Sequence, residues 1–396
     1  METRTMRLAR NEDRRLRAGH LWIYSNEVDT AQTPLKQFGP GEQARVETHS
    51  GQLLGMAFVN PQSLICGRMV SRDESPLGPR RLKRRLEQAL ALRERLFSEP
   101  CYRLVHGESD LLPGLVVDRF GDHLSVQLNT AGMDRLGGEI VDTLRKLLKP
   151  ASILLRNDSG MRTLEGLERT VEDAFGVTPD EVELIENGLR MRVPLRQGQK
   201  TGWFYDQRPN RAWLQGHARD ARVLDVFSYV GAFSLQAAAH GASEVVAVDS
   251  SALALDFVAR NAELNGVGER VSTRVGDAFD VLKELKDEDQ RFDIVVVDPP
   301  AFIKRKKDSE DGLRAYRRIF ELGMRLLSPD GLLLAASCSM HLSRDQMVDT
   351  LRASGRHLDR HVQILAEGGQ GPDHPIHPAI PETRYLKAML CRVYLP

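Results

Sequence analysis

A handful of acids and one thiol in the C-terminal half stand where chemistry can be done. Asp225 lies in Val223-Leu-Asp-Val-Phe-Ser-Tyr-Val-Gly-Ala-Phe-Ser234, an apolar run leading into a turn that carries Gly231. Asp249 ends the apolar run Val245-Val-Ala-Val-Asp249, about 20 residues further on, where a ribose-binding acid belongs. Its carboxylate can accept hydrogen bonds from both hydroxyls of a ribose. Asp277 follows Gly276 and precedes Ala278-Phe279, Asp298 ends Phe292-Asp-Ile-Val-Val-Val-Asp298 just before Pro299-Pro-Ala-Phe302, and Cys338 lies in Gly331-Leu-Leu-Leu-Ala-Ala-Ser-Cys-Ser-Met340. Carboxylates accept or hold protons, and a cysteine, once ionised, is a nucleophile. A cysteine at the end of a buried strand also serves as a small core residue, and the type alone does not separate the two roles.

The elements that must position these residues are short buried strands, each with its polar groups at the C-terminal end. Strand, glycine-bearing turn and the helical run Phe233 to Ala239 open a nucleotide-type site in an open α/β sheet. The G-x-G-x-x-G triplet of dinucleotide sites is missing, and a single tight glycine suits a ligand with no pyrophosphate to cradle. Ligands in such sheets bind at the strands' C-terminal ends, where these acids and the thiol collect. This order resembles the class I S-adenosylmethionine-dependent methyltransferases, in which Asp-Pro-Pro after the fourth strand lies beside the target atom.

A chain of 396 residues suggests two or three domains. Basic and acidic residues balance at 55 each, so affinity for nucleic acid must come from local patches. Cys66, Cys101, Cys338 and Cys391 show no C-x-x-C spacing, and His361, His374 and His377 lack metal spacing, so we expect neither a disulfide framework nor a metal site. The arginine-rich start has no apolar signal-peptide core and no run reaches membrane-spanning length, which predicts a cytoplasmic protein with no membrane partner. Residues 1–75 alternate short apolar runs with glycine and proline, a pattern for a small β-barrel or sandwich. Arg15-Leu-Arg-Ala-Gly-His-Leu-Trp-Ile-Tyr24 followed by Gly39-Pro-Gly-Glu42 resembles the PUA domain, an RNA-binding barrel. Arg4, Arg7, Arg10, Arg14, Arg15 and Arg17 would then contact phosphates, or form a solvated basic arm. Residues 76–178 read as a small α+β middle domain, with helices expected over Arg80 to Phe97 and Met133 to Leu148. Residues 179–396 open with an Asn187-Gly188 hairpin and hold the α/β sheet.

The full set of motifs is more specific. Gly198-Gln-Lys-Thr-Gly-Trp-Phe-Tyr-Asp-Gln-Arg208, Asp225-Val-Phe-Ser-Tyr-Val-Gly231, Asp298-Pro-Pro-Ala-Phe302, Ser337-Cys-Ser339, His374-Pro375 and Pro381-Glu-Thr-Arg-Tyr-Leu-Lys387 resemble the bacterial large-subunit rRNA methyltransferase I family, end to end. The resemblance implies a PUA domain, a middle domain and a C-terminal Rossmann-like methyltransferase acting on cytosine C5 of ribosomal RNA, with a homodimer left open. It implies S-adenosylmethionine contacts from Phe227, Tyr229 and Gly231 in the first loop, Asp249 at the ribose, and Asp277 with Ala278 at the adenine. The loop carrying Asp206 and Arg208 would close over the cofactor. Cytosine C5 becomes nucleophilic only when a thiolate adds at C6, which assigns attack to Cys338 and base contact to Asp298. Many RNA cytosine-5 methyltransferases carry a second cysteine after Asp-Pro, and Asp298-Pro-Pro-Ala301 lacks it. A guanine-nitrogen methyltransferase, which requires no nucleophile, and a non-catalytic RNA-binding protein are the rival readings. Lys304-Arg-Lys-Lys307 follows the target loop and is expected at the RNA face.

Overall fold

The computed structural model describes residues 3–395, which fall into two compact units. The first runs to Val182 and includes Pro194–Tyr205 and Pro372–Thr383; the second comprises Glu183–Val193, Asp206–Gly371 and the chain from Arg384.

In the first unit β1 (Thr5–Arg7), β2 (Trp22–Ile23), β3 (Glu42–Glu47), β4 (Leu53–Val59) and β5 (Gly67–Ser71) form a sheet in the order β1-β3-β4-β5-β2. Gly55 lets β4 approach β5. It has φ +140°, and a Cβ there would lie 2.0 Å from the Ser71 carbonyl oxygen. A helix over Pro79–Leu96 begins with proline in its first turn and buries Leu82, Leu86 and Ala89. It is followed by β6 (Cys101–His106), β7 (Leu115–Phe120), β8 (His123–Leu128), β9 (Ser152–Asn157) and β10 (Thr170–Phe175), paired in that order. The expected helix from Met133 is two helices, Ala131–Arg135 and Gly137–Leu148, broken beside Gly137-Gly138 where the backbone gains least from helical order. Met56, Phe58, Val70 and Leu77 pack in one cluster with Leu82, Leu86, Leu104, Leu124 and Ile140. The compositional break near Ser75 therefore does not interrupt the core.

β11 (Glu181–Glu186) and β12 (Leu189–Pro194), which belong to the second unit from Glu183 to Val193, form the expected hairpin. Asn187 and Gly188 both take positive φ, 50° and 83°, as a two-residue turn with matched twist requires. The main sheet contains β13 (Arg222–Val226), β14 (Glu244–Asp249), β15 (Val271–Val275), β16 (Phe292–Val297), β17 (Leu327–Ser337), β18 (His361–Gly368) and β19 (Lys387–Tyr394). Its order is β15-β14-β13-β16-β17-β19-β18, and β19 alone among the inner strands runs antiparallel to both neighbours. Helices such as Ala232–Ala239 and Ala252–Leu264 cover its faces, so β13, β14 and β16 are buried along most of their length and mainly apolar, with Asp225 and Asp249 toward the C-terminal ends of β13 and β14. The strand order reverses at β13, which has β14 on one side and β16 on the other. Such a switch point opens a crevice at the strands' C-terminal ends. Ser343 caps the helix Arg344–His357 with a reciprocal bond from Gln346, and β18, opening at His361, occupies the sheet edge. Among the described residues no helix is long and apolar enough to cross a membrane.

Candidate functional site

The turn after β13 is backbone forced into an uncommon shape. Phe227, Tyr229 and Gly231 have φ of 66°, 49° and 88°. For the two non-glycine residues, left-handed backbone costs on the order of 1–3 kcal/mol each and persists only where its surroundings fix it. Here the fixing groups are visible. Ser228 N donates to Val248 O at 3.0 Å, Gly231 N to Ser228 O at 2.9 Å, and Tyr229 N to Asp249 Oδ2 at 2.9 Å. The other Asp249 oxygen accepts from Ser251 N at 2.9 Å, so one carboxylate ties the loops after β13 and β14 together. Each oxygen keeps a further lone pair for a ligand.

Asp225 lies beneath this turn. Its Oδ2 accepts from Ser234 N at 2.9 Å and Ser234 Oγ at 2.6 Å, while Oδ1 is buried with no hydrogen-bond partner among the described residues. Burial pushes its carboxyl up to about 6, outweighing the two serine bonds. Ser228 Oγ is likewise buried and unsatisfied. Orphaned polar atoms are rare in folded proteins, and two at a strained loop beside a ribose-type acid fit a polar nucleoside ligand. Gly276 N donates to Asp249 O at 3.1 Å, bringing in the loop after β15. There Asp277 caps the helix Ala278–Asp287 through Phe279 N at 2.9 Å, its side chain exposed, while Ala278 is buried. Phe227, Tyr229, Gly231, Asp249, Asp277 and Ala278 thus lie on three neighbouring loops of one sheet edge.

Asp206 and Arg208 bond to neighbours within the fold. Asp206 is buried, and its Oδ2 accepts from Tyr385 OH at 2.6 Å. Arg208 Nε donates to Glu186 Oε2 at 3.2 Å, beside Arg211 Nε on Glu186 Oε1 at 2.6 Å, at the end of β11. Between them Gln207, which sequence reasoning did not single out, reaches the other end of the site. Its Nε2 donates to Asp298 Oδ1 at 2.9 Å, and Asn210 Nδ2 donates to its Oε1 at 2.6 Å, which orients the amide.

Asp298 and Cys338 follow adjacent parallel strands, paired through Val297 and Ala335. The two serines beside Cys338 are fully buried. Ser337 Oγ donates to Tyr316 OH at 2.8 Å, and Tyr316 OH and Ser339 Oγ are 2.7 Å apart. Ile303 N also donates to Ser339 Oγ at 3.2 Å, so the loop after Asp298 is tied to the loop after β17. This clamp leaves Cys338 half-buried, whereas Cys66, Cys101 and Cys391 are buried. Burial pushes the Cys66 and Cys391 thiols up to about 12, which keeps them inert. Phe302 lies 6.5 Å from the Phe227 ring, 6.1 Å from Phe279 and 4.8 Å from Tyr316, an aromatic link from the loops after β13 and β15 to the tyrosine that bonds the serines beside Cys338. Tyr316 and Lys387, which border Cys338, were missed in sequence. For Lys387 the signals were its place at the end of the Pro381–Lys387 motif and at the start of a mostly apolar strand.

The basic segments differ in how far they are already paired. Arg4, Arg7, Arg15 and Arg17 meet Glu42, Glu47, Glu27 and Asp13 within 3.2 Å, while Arg10 and Arg14 are exposed. Lys304, Lys306 and Lys307 are exposed, and Arg305 pairs with Asp308 at 2.8 Å.

Comparison with known proteins identifies the family. The family described as S-adenosylmethionine-dependent methyltransferase matches residues 168–392, and the PUA-like domain matches residues 6–72. The chain is 35% identical over 395 residues to the ribosomal RNA large subunit methyltransferase I of Erwinia tasmaniensis, covering 98% of each protein. It is 34% identical over 392 residues to the protein of the same name from Cronobacter sakazakii, again with 98% of each covered. A SAM-dependent methyltransferase structure from Streptococcus mutans shares the fold at 21% identity, with a TM-score of 0.84 over 98% of this chain and 100% of that one. The M. jannaschii tRNA m1G37 methyltransferase shares it at 16% identity and a TM-score of 0.50, over 75% and 77% of the two chains.

Proposed function

This chain belongs to the ribosomal RNA large subunit methyltransferase I family of S-adenosylmethionine-dependent enzymes, and we propose that it methylates C5 of a cytosine in large-subunit ribosomal RNA, with Cys338 as nucleophile. S-adenosylmethionine, when bound, would supply an electrophilic methyl group on a sulfonium sulfur, with S-adenosylhomocysteine as the leaving group. Asp249 would accept from its ribose, the turn Phe227–Gly231 would present backbone to it, and Asp277 with Ala278 would border the adenine. Asp206 and Arg208 act from behind, through Tyr385 and Glu186, and Gln207 carries the loop to Asp298.

Cys338 adds as thiolate to C6, and the C5–C6 π pair becomes an enamine whose C5 can take the methyl group. Asp298, held by Gln207, acts in its acid form: it gives its proton to N3 as the thiolate adds, accepts from the exocyclic amine, and N3 releases that proton when the ring is restored. After transfer a base, Asp298 or a water it orients, removes the C5 proton. The electron pair then restores the ring double bond and expels Cys338 as thiolate. The observation that carries this reading is the placement of Cys338, the one cysteine of four that is not buried, beside Asp298 on the next strand. We read residues 1–75, 76–178 and 179–396 as PUA, middle and methyltransferase domains. Arg10, Arg14, Lys304, Lys306 and Lys307 are the cations we assign to RNA phosphates.

The fold does not select the base, since a tRNA guanine enzyme shares it. Cys338→Ala decides. Loss of methyl transfer to rRNA with cofactor affinity unchanged supports the thiolate route. Retained transfer moves the assignment to a guanine nitrogen, and no transfer by the wild-type protein would leave an RNA-binding role.

A further inference from the structure

Lys387 opens β19 directly opposite Ser337, one residue before Cys338 on the facing strand. Its side chain runs along the loop that holds the thiol. Nζ donates to the Ser339 carbonyl at 2.5 Å and to the Tyr385 carbonyl at 2.7 Å. Lysine is among the residues least often taken out of water, and when it is, a carboxylate usually accompanies it. No carboxylate within salt-bridge distance of Lys387 occurs among the described residues, and its ammonium is lowered by burial to about 8. The one group that works against that lowering is Cys338. Two of the three N–H donors serve carbonyls, which leaves the third for an anion. Tyr316 faces the same thiol from the helix Ser309–Arg325, but burial raises its phenol, so it brings no charge at neutral pH. Asp298, on the neighbouring strand end, has its carboxylate turned to Gln207.

We propose that Lys387 is a positioning residue: its ammonium, aimed by the Ser339 and Tyr385 carbonyls, keeps Cys338 in the thiolate form. The thiol proton passes to solvent and Lys387 stays protonated, so the electron pair that forms the C6–S bond is in place before the base arrives. The proposal rests on Cys338 being the nucleophile, yet it can be tested without turnover.

The readout is the pH profile of Cys338 alkylation by iodoacetamide in the full-length protein, located by peptide mass mapping. Wild type should titrate below the roughly 8.5 of an unperturbed thiol. Lys387→Gln, which can still donate to the carbonyls but carries no charge, should raise that midpoint by about one unit and slow alkylation at pH 7 roughly tenfold. Lys387→Met should do the same, and Lys387→Arg should restore most of the wild-type rate. Cofactor binding should persist in all three, and Cys66, Cys101 and Cys391 serve as buried internal controls. An unchanged midpoint in Lys387→Gln, or an arginine variant as slow as the glutamine one, overturns the proposal. If the midpoint shifts but Cys338→Ala still methylates RNA, Lys387 tunes a thiol that is not the nucleophile, and the cytosine reading alone fails.

Discussion

Single residues in this site are coupled to the backbone around them, and that changes what their removal should do. Asp249 was expected only to meet a ribose, but its two oxygens also hold Tyr229 N and Ser251 N. Asp249→Ala therefore removes a ligand acceptor and strands two amides, on the order of 1–3 kcal/mol, and titration calorimetry should show cofactor affinity falling at least several-fold. Asp249→Asn keeps one acceptor oxygen and should fall less; equal affinity in the alanine variant and wild type would remove Asp249 from the site. Asp225 makes a prediction about pH. Its carboxyl titrates at about 6 in the fold against an ordinary 3.8, so between those values the folded state holds a proton that the unfolded chain has lost. The stabilisation is complete below the lower value and is lost as pH rises through the upper one, on the order of 3 kcal/mol in all. Asp225→Asn should abolish that decline and melt higher than wild type at pH 8, with little difference at pH 4. Parallel melting curves at both pH values would show that the orphaned oxygen carries no charge penalty.

At the scale of elements, buried apolar runs ending in acids were legible as strands of one sheet, because a strand covered on both faces has little freedom in composition. The Asn187-Gly188 turn was legible because few other pairs tolerate two positive φ values. Partnerships were not. Gln207 meets Asp298 across 91 positions and Lys387 meets Ser339 across 48, and no local pattern encodes such contacts. The N-terminal arginines show the same limit, since their cluster is plain in the chain while the acids that pair with Arg4, Arg7 and Arg15 arrive by folding. Strand β10 escaped notice because Thr-Val-Glu-Asp-Ala-Phe is polar and lies mostly exposed at a sheet edge. The compositional break at Ser75 conceals a joint core with a buried ion pair, Arg68 to Glu165 at 3.0 Å, and a second bond from Arg68 to Glu108 at 3.2 Å. Arg68→Met should strand Glu165 and cost about 3–5 kcal/mol, read as faster hydrogen exchange in β8 and β9. Replacing Arg68 and Glu165 together by methionine should recover part of that loss. Full protection in the single variant would mean the pair is not holding β5 to the α+β sheet.

For the whole molecule, family membership accounts for a PUA-like segment, a switch-point sheet and a cofactor edge, while the choice of target base turns on Cys338 and its surroundings. On the proposed thiolate route, the absent second cysteine after Asp298-Pro299 would put product release on Asp298 or water, which makes the covalent adduct the decisive species. RNA carrying 5-fluorocytosine at the target position captures it. Fluorine at C5 cannot leave as a proton, so elimination stalls with Cys338 bonded to C6. The measurement is a denaturing gel of the full-length protein incubated with that RNA. A shifted protein–RNA band that requires both Cys338 and S-adenosylmethionine is the predicted result. A protein that methylates the unmodified RNA yet gives no such band, or gives it equally as Cys338→Ala, would contradict the thiolate mechanism.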